Sequence, residues 1–159
     1  MAAPSYAALY QFEEQLEDGF KSVLQTVSGL DVRQTRDDDA QATPRCVLRA
    51  SVGGCAGGPR LGTNIPGGQL RPDLYDASIT VDVFTNRRSN EASHATILGQ
   101  IRAALYEWSN FTTTRFPYLV ILKCHEDGNS GPGLREGEND STGLTFTLSF
   151  GIRHDAWPV

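Results

Sequence analysis

The sequence predicts an α+β domain: a mostly antiparallel sheet with two helices packed on one face and a long inter-strand arm. Three observations lead there. Between Ser5 and Val27, Leu9, Phe12, Leu16, Phe20, Val23, Leu24 and Val27 recur at steps of three and four, which is one face of a helix. Two segments, Tyr75 to Thr85 and Leu144 to Ile152, alternate apolar with polar residues, the period of a half-buried strand. The expected strands also follow one another with few helices between them, which favours antiparallel pairing.

In chain order, Ser5 is a plausible N-cap of the first helix and Gly29 its stop. Gly19 inside that helix costs about 1 kcal/mol relative to alanine, and its missing side chain allows close packing. Leu30 to Gln34 reads as a short extended piece, followed by the acidic turn Asp37-Asp38-Asp39. Arg45 to Val52 is a strand with Cys46, Leu48, Ala50 and Val52 on one face. Tyr75, Ala77, Ile79, Val81 and Val83 form the inward row of the next strand.

Ser89 or Asn90 is expected to cap a second helix running to about Trp108, with Ile97, Leu98, Ile101, Leu105 and Trp108 as its buried stripe. A polar loop spans Asn110 to Arg115. "YLVILKC" from Tyr118 is apolar on both faces and reads as a central strand. Residues 126 to 142 read as a long loop rich in glycine and acid. Leu144, Phe146, Leu148, Phe150 and Ile152 form the inward row of the last strand. No repeat or linker divides the chain, so residues 1–159 are one domain.

The stretch "SVGGCAGGPRLGTNIPGG", residues 51 to 68, holds seven glycines. It contains no lysine, so it is no Walker loop. Its glycines do not give G-x-G-x-x-G, and a Pro-rich segment and a strand follow where a phosphate would need a helix N-terminus. A glycine-rich arm over residues 53–72, joining two strands and ordering against a partner, is the better reading. Arg60, Leu61, Ile65, Leu70 and Arg71 are its candidate subunit-interface residues.

Composition narrows the function. The chain carries 14 Lys and Arg against 19 Asp and Glu, a net charge of −5. That disfavours sequence-specific nucleic-acid binding, which needs clustered cations. No apolar run approaches the roughly 18 residues of a membrane span, and the acidic N-terminus does not read as a secretory signal. Three cysteines without paired spacing fit a reducing compartment with buried or idle thiols.

Catalytic, cofactor and metal sites find no support. His94, His125 and His154 fall on different elements. Cys124-His125 and His154-Asp155 could meet as metal ligands only if their strands pair, and neither has ligand spacing. A core position for Cys124 is the better reading. No G-x-S-x-G elbow supports a serine nucleophile. Asp37-Asp38-Asp39 lacks the spacing of a calcium loop. Glu136, Glu138 and Asp140 read as solvated charge rather than as catalytic acids, which need a shaped site.

The layout resembles the tail terminator, or tail-completion, proteins of tailed bacteriophages. The first helix ending "SVLQTVSGLDV", the strand and cap "LYDASITVDVFTNRRS", the helix "HATILGQIRAALYE" and the closing "GLTFTLSFGIRHDAWPV" carry the likeness over nearly the whole chain. The glycine-rich arm is not something that layout requires. The resemblance implies a structural virion protein with no enzymatic activity or cofactor. It implies a homo-oligomeric ring, typically a hexamer, seated on the tail tube protein and joined to a neck or connector protein. Its location would be the virion, and the host cytoplasm during assembly. DNA would pass through its channel, for which Asp37, Asp38, Asp39, Glu136, Glu138 and Asp140 are candidate lining residues. Another phage neck ring protein, a head-closure or head–tail connector component, is the alternative. A small cytoplasmic enzyme or ligand-binding domain is a more remote one.

Overall fold

The computed structural model describes residues 12–34, 43–55, 64–65, 69–70, 74–86, 93–129, 133–134 and 139–152. Helix α1 spans Phe12–Leu24, strand β1 Asp31–Gln34 and β2 Arg45–Cys55. Two short strands, β3 (Asn64–Ile65) and β4 (Gln69–Leu70), come next, then β5 (Leu74–Asn86). Helix α2 covers His94–Tyr106 and a 3-10 turn Trp108–Asn110. The chain closes with β6 (Leu119–Asn129), β7 (Gly133–Leu134) and β8 (Asn139–Ile152).

The main sheet has the order β1-β2-β5-β8-β6, with β7 also paired to β8. Every pairing is antiparallel except that of β1 with β2. Strands β5 and β6 both run antiparallel to β8, so β5-α2-β6 is a parallel crossover with β8 inserted between its strands. This is the expected α+β class.

One face of the sheet is apolar because the registers align its inward rows. Cys46 lies opposite Val83, Leu48 opposite Val81, Ile79 opposite Phe146 and Tyr75 opposite Phe150. On this face Leu16, Phe20, Val23 and Leu24 of α1 join Ile97, Ile101 and Leu105 of α2 in one core. Ordinary area bookkeeping assigns each such buried Leu, Ile or Phe about 1.5–3 kcal/mol. The opposite face carries Ser51, Ser78, Thr145, Thr147 and Ser149 at alternate positions.

Several expectations need correction. Helix α1 ends at Leu24, three residues before Val27. Gly29, at φ 76°, instead serves the following turn, in which the Leu30 N–H donates to Val27 O. The expected start at Ser5 lies outside the described residues. Helix α2 is capped by Ser93, whose hydroxyl accepts from the Thr96 N–H at 3.3 Å; Ser89 and Asn90 lie outside the described residues.

Trp108 is 52% exposed rather than buried. The chain leaves helical geometry at Glu107, with ψ at 99°, and the 3-10 turn swings the indole outward onto Phe111. "YLVILKC" forms the edge strand β6, not a central one, because β8 pairs into the place beside β5. Val120 and Leu122 are therefore exposed. The loop expected over 126 to 142 is shorter, since β6 runs on to Asn129 and β8 begins at Asn139. Asp140 consequently lies in a strand, opposite Thr85 and Leu134.

Candidate assembly surface

The arm leaves β2 just after a bulge. The β2–β5 register shifts between Val52 and Gly54, which bends the strand where the glycines begin. Farther along, Asn64–Ile65 pairs antiparallel with Gln69–Leu70 around Pro66-Gly67-Gly68. This hairpin forms a sheet of its own rather than joining the main one. Ile65 and Leu70 thus fall on the two hairpin strands, while Arg60, Leu61 and Arg71 lie outside the described residues. Residues 53–72 contain two arginines and no carboxylate, so the remainder of this acidic chain is more negative than its net −5.

The body is tied together close to the arm's root. Past Leu48, β1 no longer covers β2, and the Ala50 N–H would lack a strand partner on that side. Glu17 of α1, itself buried, accepts that N–H at 3.1 Å. Gln34 donates to Asp18 at 2.6 Å beside it. Neither contact has a periodic signal in the sequence, since each joins residues from separate elements.

At the far edge, Arg102 of α2 makes a bidentate contact with Glu126 of β6, both bonds at 2.9 Å. The pairing to Glu126 holds the guanidinium pKa above its usual value. Tyr106, Trp108, Val120 and Leu122 are the exposed large hydrophobics among the described residues. A cleft of about 260 Å³ lies between Trp108, Phe111, Thr112, Leu119 and Val120.

Of the candidate channel residues, Asp37, Asp38, Asp39, Glu136 and Glu138 lie outside the described residues. Asp140 is half-buried near His94 and acts on its imidazole. His94 bridges two strands, with Nδ1 2.8 Å from Thr85 Oγ1 and Nε2 2.7 Å from Thr142 Oγ1. Burial lowers its pKa, while the Asp140 charge opposes that shift. Both threonines are buried while His94 is half-buried, and the cluster fastens α2 to β5 and β8.

His125 lies opposite Thr147 on the polar face, and His154 is outside the described residues. No three His, Cys, Asp or Glu side chains converge as metal ligands among the described residues. Burial, with the Asp31 charge adding to it, pushes the Cys46 thiol up to about 12. Burial alone pushes Cys124 up to about 11. Neither is a thiolate near neutral pH, so neither is an activated nucleophile. Cys124 is half-buried against the core rather than enclosed in it. No described helix is long and apolar enough to cross a membrane.

No family model matches this chain, and no curated protein matches it. Solved structures do resemble it. One chain of unstated function is 13% identical at a TM-score of 0.44, covering 92% of this chain and 94% of that one. A likeness at that level carries nothing about function.

Proposed function

We propose that this chain is a structural virion protein, a tail terminator that forms a ring at the head-proximal end of a phage tail tube and joins it to the neck. One observation carries the proposal: the arm between β2 and β5 folds as a two-stranded hairpin separate from the main sheet. A lone hairpin of that size is marginal in water, and ordering each of its residues costs about 1–2 kcal/mol. A neighbouring subunit would supply the surface that offsets this cost. Contact of an arm on one copy with the body of the next is heterologous, and heterologous contacts form a ring when the rotation between copies closes.

Charge supports the same arrangement. The arm has arginines and no carboxylate, whereas the rest of the chain is acidic, so arm and neighbouring body attract. A negative ring also suits a channel through which DNA slides, because phosphates are repelled rather than held.

Negative-stain imaging of the purified protein, alone and with tube protein, tests the assignment. Rings of one diameter, capping tube ends and halting their growth, are expected. Monomers that leave tube length unchanged would refute it. Rings that bind a neck component and ignore tubes would make the chain another neck ring protein.

A further inference from the structure

The start of α2 reaches the sheet through one side chain. His94 is the first helical residue, after the cap Ser93. Ser93, Ala95 and Thr96 are all exposed, and His94 alone among the four is half-buried. The next buried residue of the helix is Ile97. The other ties at this end are local, the Ile97 N–H to Ser93 O at 3.0 Å and the Thr96 N–H to Ser93 Oγ at 3.3 Å. Among the described residues, the imidazole is what fastens the start of α2 to Thr85 of β5 and Thr142 of β8.

Such a fastening depends on the proton count of the ring. A neutral imidazole carries one N–H and one bare nitrogen. With one hydroxyl 2.8 Å from Nδ1 and another 2.7 Å from Nε2, one threonine accepts the ring N–H and the other donates to the bare nitrogen. Either tautomer satisfies the pair. An added proton makes both nitrogens donors. The threonine that faced the bare nitrogen then gives up the bond it donated, in a place where both threonines are buried. The new charge also falls at the N-terminus of α2, the positive end of the helix dipole. Among the described residues, Asp140 of β8 is the charged group that acts on the ring, and it opposes these effects. Strand β5 presents the uncharged Thr85, and the first turn of α2 holds no acid.

We infer that His94 is a proton-operated latch: uncharged, it pins the start of α2 to the ends of β5 and β8, and protonation frees that start while the sheet stays folded. Release stays local because the rest of the helix is held by Ile97, Ile101 and Leu105 in the core, none of which titrates. Helix ends open at far lower free energy than the core they adjoin. Burial outweighs the Asp140 charge and keeps the latched ring's pKa below 6.5, so the opened form binds a proton more readily. The latch is therefore at full strength above about pH 6.5 and weakens as pH falls toward the latched midpoint. This inference stands independently of ring assembly.

NMR on the whole chain tests the latch without a variant. The titration midpoint of the His94 ring should fall below 6.5. Amide exchange of Ile97 and Leu98, whose N–H groups close the first turn, is followed from about pH 7.5 to about pH 5. It is expressed relative to Leu105 farther along the same helix, which cancels the intrinsic pH dependence of exchange. That ratio should rise on acidification, by at most about tenfold for each pH unit between the latched midpoint and that of a free imidazole. Phe146 and Leu148 of β8 should keep their protection throughout. His94→Gln, which cannot titrate, should lose the pH response. Thr142→Val, which leaves one hydroxyl partner, should already exchange faster at Ile97 and Leu98 near pH 7.5. A His94 midpoint at or above 6.5 would overturn the proposal. So would a constant ratio of Ile97 and Leu98 to Leu105 across the range. Loss of protection at Phe146 and Leu148 in step with Ile97 would also overturn it, because the opening would then be global.

Discussion

Gly19 lies where α1 crosses Phe116, and a methyl group there would land on the ring. That ring cannot easily move aside, since it is buried and contacts both Phe20 and Phe111. Gly19→Ala should therefore lose stability in urea titration. Overpacking costs about 1–3 kcal/mol, against about 1 kcal/mol gained in helix propensity. Pairing it with Phe116→Leu should recover part of the loss, because residues in contact couple.

His94 gives a pH signature. Burial lowers its folded pKa below 6.5, so the unfolded chain takes up the proton first. The stability held by the neutral ring is complete above about pH 6.5 and is lost as pH falls through the folded value. Urea midpoints measured between about pH 7.5 and about pH 5 should fall further in the parent than in His94→Gln, which cannot titrate. Equal falls would remove His94 as the source. Gly19 and the inward rows were legible in the sequence. The partners of His94 and Glu17 were not, because a sequence carries no cross-element register.

Among elements, β8 is the backbone of the fold, paired with β5 along one side and with β6 and β7 along the other. Phe146 and Phe150 face the helices as their alternation required. Phe146→Ala or Phe150→Ala should cost about 3–5 kcal/mol, and a loss below about 1 kcal/mol in urea would contradict their burial. The side chain of Ile152, the last of that row, lies outside the described residues. The arm makes the opposite prediction. Deleting residues 56–69 with a short bridge should leave the thermal midpoint of the monomer nearly unchanged while ring formation falls. Assembly at the parental level would exclude an interface role. Strand β6 was misplaced in the order for a physical reason. Apolar residues on both faces mark a buried strand or one awaiting a partner, and hydrophobicity alone does not separate them.

At the scale of the whole molecule, charge is the long-range property. A net −5 per subunit repeats around any ring, and a closed channel focuses that field. Changing Asp37, Asp38 and Asp39 to Lys, and separately Glu136, Glu138 and Asp140, should leave assembly intact where those side chains are exposed. DNA release from particles should slow for whichever set faces the channel, most at low salt. Unchanged ejection kinetics in both would reject the channel role. Asp140 is half-buried within β8, paired opposite Thr85, so its reversal should also cost monomer stability, a readout that separates a packing effect from a channel effect.

The sequence by itself determined the α+β class, the amphipathic face of α1, the inward rows of β5 and β8, and the arm as an excursion between two strands. Each rests on local periodicity or on glycine and proline chemistry, which neighbouring residues carry within themselves. Only the tertiary structure decided that β8 inserts between β5 and β6. It also decided that Trp108 turns outward, and that a cleft opens between Trp108, Phe111 and the start of β6. Those outcomes depend on which strand wins a neighbour's hydrogen bonds and where a helix unwinds, and both are settled by packing between segments far apart in the chain.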